Sequence, residues 1–404
     1  MIGLKDEVQR LAGRYHEEVV AIRRHFHRNP ELSCEEYQTA VYIASQLTGY
    51  GIPYRQGIGG TGLVGLIEGR DPGSRCIALR ADMDALPVTE ANDVEYRSQV
   101  SGKMHACGHD AHMACLLGAA KILVSLRDRF TGTVKLIFQP SEETYPGGAI
   151  AMIGEGVLES PQPEHVIAQH VINTLEAGTV GLRAGAYMAS TDEIFLTIRG
   201  KGGHAATPSQ VIDPILIASH IVVALQQIVS RNADPVMPTV VSFGKISGEG
   251  RTNIIPGEVK LEGTVRTYDE NWRQEAHERI RRISTGMADA MGGSCEFRIA
   301  RGYPFLYNDP ELTGRLTTFS EEYLGAENVM ELDRRMTAED FAYFAREVPS
   351  CMVRLGIANE SKGIRSNLHA DTFDVDEDSL KTGMGLMAWY AMRLLGDGAG
   401  PGGG

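Results

Sequence analysis

Apolar residues recur at helical spacing through Leu4, Val8, Leu11, Tyr15, Val19, Ile22 and Phe26, with charges between them, and predict an amphipathic opening helix. From residue 60 to 185 short apolar runs alternate with longer helical patterns, the signature of an α/β layer. Strands are predicted at 63–67, 76–79, 134–138 and 164–168. Between the second and third of these, 111–126 is apolar almost all round, which predicts a buried helix rather than a surface one.

The pattern changes character after residue 186. It predicts a strand at 193–199, a helix at 214–229, strands at 239–246 and 258–267, a second helix and a last strand at 295–300. The second helix carries Trp272, Ala276, Ile280, Ile283, Met287 and Met291 on one face, with Arg and Glu on the other. The order βαββαβ is a split βαβ sandwich, ferredoxin-like in topology. A further strand at 351–355 resumes the first pattern. The expectation is therefore a two-domain α/β protein: a mixed-sheet catalytic domain at 1–185 and 300–396, interrupted by a lid at 186–299. The Gly-rich end, 397–404, is expected to be a disordered tail.

A length of 404 residues agrees with two domains. Lys and Arg total 39 against 52 for Asp and Glu, and this acidic balance disfavours nucleic acid and anionic membranes as partners. The six cysteines lack the dense spacing of a secreted disulfide scaffold, which points to a reducing, cytoplasmic compartment. No run of about twenty uninterrupted apolar residues is present, so no membrane span is expected.

Ligand-type residues stand just past the strand runs. Strand 134–138 leads into Gln139-Pro140-Ser141-Glu142-Glu143, strand 164–168 into Gln169-His170, and strand 351–355 precedes a loop with His369. In open α/β sheets the binding crevice lies outside the carboxyl ends of the strands, so these residues are placed to converge. Residues 104–112, MHACGHDAH, put Cys107 and His109 two apart ahead of a helix. Extended backbone there would aim both side chains to one side, and the helix N-terminus would favour the thiolate. Thiolate, imidazoles and carboxylate together suit zinc, cobalt, nickel or manganese. Alone, the segment also fits a small buried Cys with a capping His. Glu142 and Glu143, if extended, point to opposite sides, one toward a metal and one toward water. Asp82 and Asp84 fit the role of orienting ligands from behind. Glu339 and Asp340, after Thr337, fit a helix cap.

Taken in order, RADMDALPVTE (80–90), MHACGHDAH (104–112), FQPSEET with GGA (138–149), GKGGHAATP (200–208), TNIIPGEV (252–259), AEDFAYF (338–344) and His369 resemble the metal-dependent aminoacylases. The resemblance runs from about residue 20 to 395. It points to the amidohydrolase branch containing bacterial hippurate hydrolases and plant hydrolases of indole-acetyl-amino acid conjugates. It implies two divalent ions held by Cys107, His109, Glu143, His170 and His369, with Glu142 as general base. It also implies a homodimer, or a tetramer built on it, formed through the lid. His204 would reach into the partner subunit's active site and, with Asn253, polarise the scissile carbonyl, and Arg266 would grip the substrate carboxylate. The implied substrate is a small N-acyl amino acid. A dipeptidase or carboxypeptidase, a thiol amidase using Cys107 with His109 or His105, and a non-catalytic metal-binding relative stand as alternatives. The sequence departs from the broader metallopeptidases in lacking a His near Asp82 and a bridging Asp near Cys107.

Overall fold

The computed structural model describes residues 3–396, so the Gly-rich tail at 397–404 lies outside the described residues. The chain opens with α1 (Leu4–Arg28) and α2 (Tyr37–Gly49). It continues through β1 (Tyr54–Ile58), β2 (Gly62–Glu68), β3 (Cys76–Asp82), α3 (His109–Ser125), β4 (Thr133–Gln139), α4 (Gly148–Gly154), β5 (His165–Glu176) and β6 (Val180–Leu182). From β7 (Gly185–Met188) it enters β8 (Asp192–Arg199), β9 (Gly203–His204), α5 (Pro214–Gln227), β10 (Thr239–Ser247), β11 (Ile254–Ile255), β12 (Glu258–Thr267), α6 (Glu270–Ala290) and β13 (Ser294–Arg301). It closes with β14 (Leu306–Asn308), α7 (Pro310–Leu324), β15 (Val329–Glu331), α8 (Ala342–Glu347), β16 (Ser350–Ala358) and α9 (Asp378–Gly396).

The large domain is built on an eight-stranded mixed sheet in the order β1-β2-β4-β3-β5-β16-β6-β15. Its centre, from β4 through β3 and β5 to β16, is parallel, and such strands are buried on both faces. β3, β4 and β16 are accordingly buried along their whole lengths. α3, read from the sequence as buried, packs into one core with α1 and α9. Val8, Leu11, Val19, Ile22 and Phe26 form the buried stripe of α1.

The small domain is a four-stranded antiparallel sheet, β10-β12-β8-β13, with α5 and α6 against it. β8 alternates, sending Ile194, Leu196 and Ile198 into the core to meet Ile217, Ile221 and Leu225 of α5 and Ala276 and Ile280 of α6. The order β8-α5-β10-β12-α6-β13 is the expected βαββαβ. By length and composition alone Pro214–Asn232 would suffice to cross a membrane. In the fold one stripe of it lies in this core, while Ile215, Leu216 and Val223 face outward.

The chain divides into two compact units, one running to Gly185, from Tyr307 to Asp333 and from Asp340 onward, the other covering Ala186–Leu306 and Arg334–Glu339. The return at 307 comes later than the expected 300. β13 continues through Arg301, and buried Arg273 holds the Gly302 carbonyl at 2.9 Å while Asp192 accepts the Gly302 N–H. Residues 334–339 join the small unit because the Arg335 carbonyl accepts from Tyr268 Oη and from Ala189 N–H.

Candidate metal centre

Cys107, His109, Glu143, His170 and His369 converge in the large domain with Glu142 beside them. Cys107, His109 and His170 offer ligand atoms within 4.8 Å of one another, and so do Cys107, Glu143 and His369, and His109, Glu142 and Glu143. Cys107 Sγ is 3.6 Å from His170 Nε2, and His369 Nε2 is 3.4 Å from Glu143 Oε1. His109 Nε2 and Glu143 Oε1 are buried without a hydrogen-bond partner, 3.9 Å apart. Buried polar atoms in a folded protein are nearly always satisfied. Orphaned nitrogen and carboxylate oxygen facing a thiol and a second imidazole fit a divalent-cation site.

Local backbone explains the convergence and corrects several expectations. Cys107 and His109 do not lie on extended backbone: Gly108, at φ 83°, caps α3, and His109 is the first residue of that helix. A Cβ at Gly108 would meet Val171 Cγ2 at 2.5 Å, so only glycine fits. Glu142 and Glu143 are not extended either. Ser141 takes φ 55°, and the next residues bend so that both their N–H groups donate to Asp84, at 3.0 Å each. His170 does not close its strand: β5 runs on to Glu176, and His170 lies two residues past Ala168, the last residue paired with β3. His369 takes φ 67°, and its N–H donates to the Ala106 carbonyl, tying its loop to that of Cys107.

Behind these candidate ligands lies a polar frame. Asp84 Oδ1 is 3.3 Å from His109 Nδ1, and Ser33 Oγ donates to Asp84 Oδ2 at 2.6 Å. Asp82 Oδ1 is 2.6 Å from His112 Nδ1, and its Oδ2 accepts from Arg80 at 2.7 Å. His112 was not singled out from the sequence, although it follows His109 by three and so shares its face of α3. Its Nε2 accepts the Val171 N–H at 2.9 Å, so both nitrogens are committed, and it braces the backbone next to His170 instead of binding a cation. Asp340 does not cap the helix that follows it in the chain, α8. It is fully buried and accepts from Arg80, from Gln139 Nε2 and from the Ala149 N–H, gripping the two ends of the loop that carries Glu142.

The electrostatics follow from this packing. Burial would depress His109, but Asp82, Asp84 and Glu143 outweigh it and push its pKa up to about 10. Burial, aided by Glu143, Glu142 and Asp82, drives the Cys107 thiol well up, so without a cation the helix N-terminus does not yield the expected thiolate. Burial, reinforced by Arg354, drives His170 well down and keeps it neutral; its Nδ1 bonds the Val171 carbonyl, leaving the Nε2 lone pair toward Cys107. His369, 55% exposed, is raised chiefly by Glu143, whose Oε1 lies 3.4 Å from its Nε2, and forms the open side of the cluster.

His204, Asn253 and Arg266 belong to the small domain. His204 pairs with Ile254 across β9 and β11, and the Ala205 N–H donates to the Asn253 carbonyl at 3.0 Å, so His204 and Asn253 are brought side by side on an exposed edge. His204 Nδ1 accepts the Ala206 N–H at 3.0 Å, which places the proton of the neutral ring on Nε2. Arg266 is half-buried on β12, an inner strand, and Nη1 donates to the Met336 carbonyl at 3.0 Å.

Residues 78–393 match the family model of peptidase family M20/M25/M40. An N-acyl-L-amino acid amidohydrolase of Geobacillus stearothermophilus is 43% identical over 307 residues, covering 76% of this chain and 82% of the relative. Thermostable carboxypeptidase 2 of Saccharolobus solfataricus is 40% identical over 379 residues, covering 93% and 95%. Among solved structures, a Bacillus subtilis protein described as a dinuclear metal binding peptidase from the M20 family superposes with a TM-score of 0.81 at 31% identity, covering 95% of this chain and 99% of that one.

Proposed function

This chain belongs to peptidase family M20/M25/M40 and is an amidohydrolase; on that premise we propose that it cleaves the amide bond of small N-acyl-L-amino acids, releasing a carboxylic acid and a free amino acid. The observation that carries this reading is the meeting of Cys107, His109, Glu143, His170 and His369 with Glu142 alongside. Those five side chains would hold two divalent ions; zinc, manganese, cobalt and nickel all suit this donor set. Such ions polarise a carbonyl oxygen and acidify water.

The chain's own groups then have distinct tasks. Glu142 takes the proton of the attacking water and passes it to the departing α-amine. His204, reaching through Nε2–H into the partner subunit's active site, and the Asn253 amide donate to the oxygen on which negative charge develops. Arg266 receives the substrate carboxylate, to which a guanidinium bonds in two places. Asp84 supports His109 and the glutamate loop, and Asp82 holds His112 behind them. A homodimer through the small domain is supported by the outward apolar face of α5 and by β10, which ends its sheet. Six free cysteines suit a cytoplasmic setting.

The resemblance to a carboxypeptidase favours one second reading, the hydrolysis of small peptides. Catalysis by Cys107 as a nucleophile is disfavoured, since burial and the neighbouring carboxylates keep its thiol protonated. The test is metal analysis coupled to a substrate panel on one preparation: an N-acetyl amino acid, hippurate and a dipeptide. Two ions per chain with turnover of acylated amino acids, lost on chelation, is the expected result. Full activity after complete removal of metal would overturn it, and turnover of the dipeptide alone would favour the second reading.

A further inference from the structure

The loop that carries Glu142 turns on Ser141, a non-glycine residue with φ 55°. That conformation disfavours an L-residue by about 1–2 kcal/mol and persists only where its surroundings impose it. The imposing group is Glu36, which precedes α2 and is fully buried. Glu36 Oε1 accepts the Ser141 N–H at 2.8 Å and Ser141 Oγ at 3.2 Å, and Oε2 accepts Thr61 Oγ at 2.7 Å. Ser141 Oγ in turn accepts the Cys34 N–H at 2.8 Å, and the Ser141 carbonyl accepts the Gly148 N–H, closing the loop. A carboxylate buried to this degree is costly unless its bonds do something specific, and these fix one residue of the chain.

We propose that Glu36 is a positioning residue for Glu142: its carboxylate holds Ser141 in the left-handed conformation that turns Glu142 and Glu143 out of the line of β4 and onto Asp84. Without that anchor Ser141 relaxes toward the extended or right-handed region, and the N–H groups of Glu142 and Glu143 leave Asp84. The bonds of the Glu36 carboxylate go to Ser141 and Thr61, neither of them one of the five candidate ligands, so it acts on the glutamate loop through Ser141. The proposal rests on the role assigned above to Glu142, yet its central claim concerns backbone geometry and is measurable without turnover.

Three variants and two readouts test it. Hydrogen exchange of residues 140–148 in the metal-free protein reads the loop itself, and kcat and KM of the metal-loaded enzyme read its consequence. Glu36→Ala is expected to speed exchange in this segment while leaving α3 and β4 protected. It should also lower kcat by about 10- to 100-fold with KM within about twofold, the range typical of groups that orient a site from behind. Glu36→Gln can keep both Ser141 bonds on its amide oxygen while its NH2 group turns to Thr61 Oγ, which then accepts. It should recover kcat to within about fivefold of the parent. Should Glu36→Ala fail to fold, Ser141→Val makes the left-handed region inaccessible with Glu36 intact and is expected to reproduce the fast exchange and the kcat loss. Unchanged exchange and kcat in Glu36→Ala, a Gln variant as impaired as the Ala variant, or full activity in Ser141→Val would each overturn the proposal. If the parent hydrolyses no acylated amino acid, the exchange comparison still decides the role of Glu36 while the functional reading falls.

Discussion

Loading the cluster with metal should expel protons in a number set by its pKa pattern. In the metal-free protein at pH 7.5 His109, with its pKa near 10, carries a proton in all but a fraction of a percent of molecules. The Cys107 thiol, pushed well up, is protonated too. A cation binds neutral imidazole and thiolate, so each of these groups gives up a proton on binding. His170, driven well down, contributes none, and His369, raised above its usual value, contributes a fraction. Filling both positions therefore releases about two protons, with His369 adding part of a third. The sign follows: lowering the pH returns protons to the ligands, so apparent affinity falls by about 2.7 kcal/mol per pH unit for two coupled protons, at 1.36 kcal/mol each. Above about pH 10, where His109 is already neutral, the slope halves to about 1.36 kcal/mol per pH unit, because the Cys107 proton must still be expelled. Calorimetric titration of the metal-free protein with zinc, in buffers of differing ionisation enthalpy, counts the protons directly. Cys107→Ser should remove one of them. Release of fewer than one proton, or an affinity flat between about pH 6 and 8.5, would refute the reasoning.

Glu142→Gln should keep its metal, as measured by elemental analysis, and lose about 10²- to 10⁴-fold in kcat, the usual contribution of a positioned general base. Asp340→Asn should destabilise the large domain by about 2–3 kcal/mol, less than the roughly 3–5 for a buried charge left with no counter-ion, because Asp82 still faces Arg80. Denaturant unfolding followed at Trp389, which lies in the large-domain core, reads this loss. Replacing outward-facing Leu216 and Val223 of α5 with Asp should shift the assembly toward monomer, read by light scattering, with the fold kept.

The sequence carried the architecture well because its two periodicities are physical. The all-round apolar run of α3 and the alternation of β8 each dictate a burial pattern, and both elements have it. The candidate ligand set came from residue types at spacings that resemble a known family, and those side chains do meet. What the sequence did not carry was backbone sign and long-range polar pairing. Nothing in a residue's identity announces that Ser141 and His369 turn left-handed, since that depends on partners distant in the chain, such as Glu36 and Ala106. Asp340 read as a cap because Thr337 stands three residues before it, whereas its partners Arg80 and Gln139 lie hundreds of residues away. Likewise β5 overshoots its expected end because a parallel neighbour, β16, continues beside it, a fact of topology and not of local composition.

His109 opens α3, which is buried over most of its length, so a cation held there would link its occupancy to the folding of the large domain. A ligand that binds only the native form adds stability as the logarithm of its saturation, about 2.7 kcal/mol at a hundredfold excess over Kd. The separate core around Ile194, Leu196 and Ile280 contains none of the five candidate ligands and would receive no such reinforcement directly. On the proposed reading, scarcity of metal would weaken the half of the molecule that gathers the candidate ligands, leaving starved protein open to proteolysis where fully supplied protein resists it.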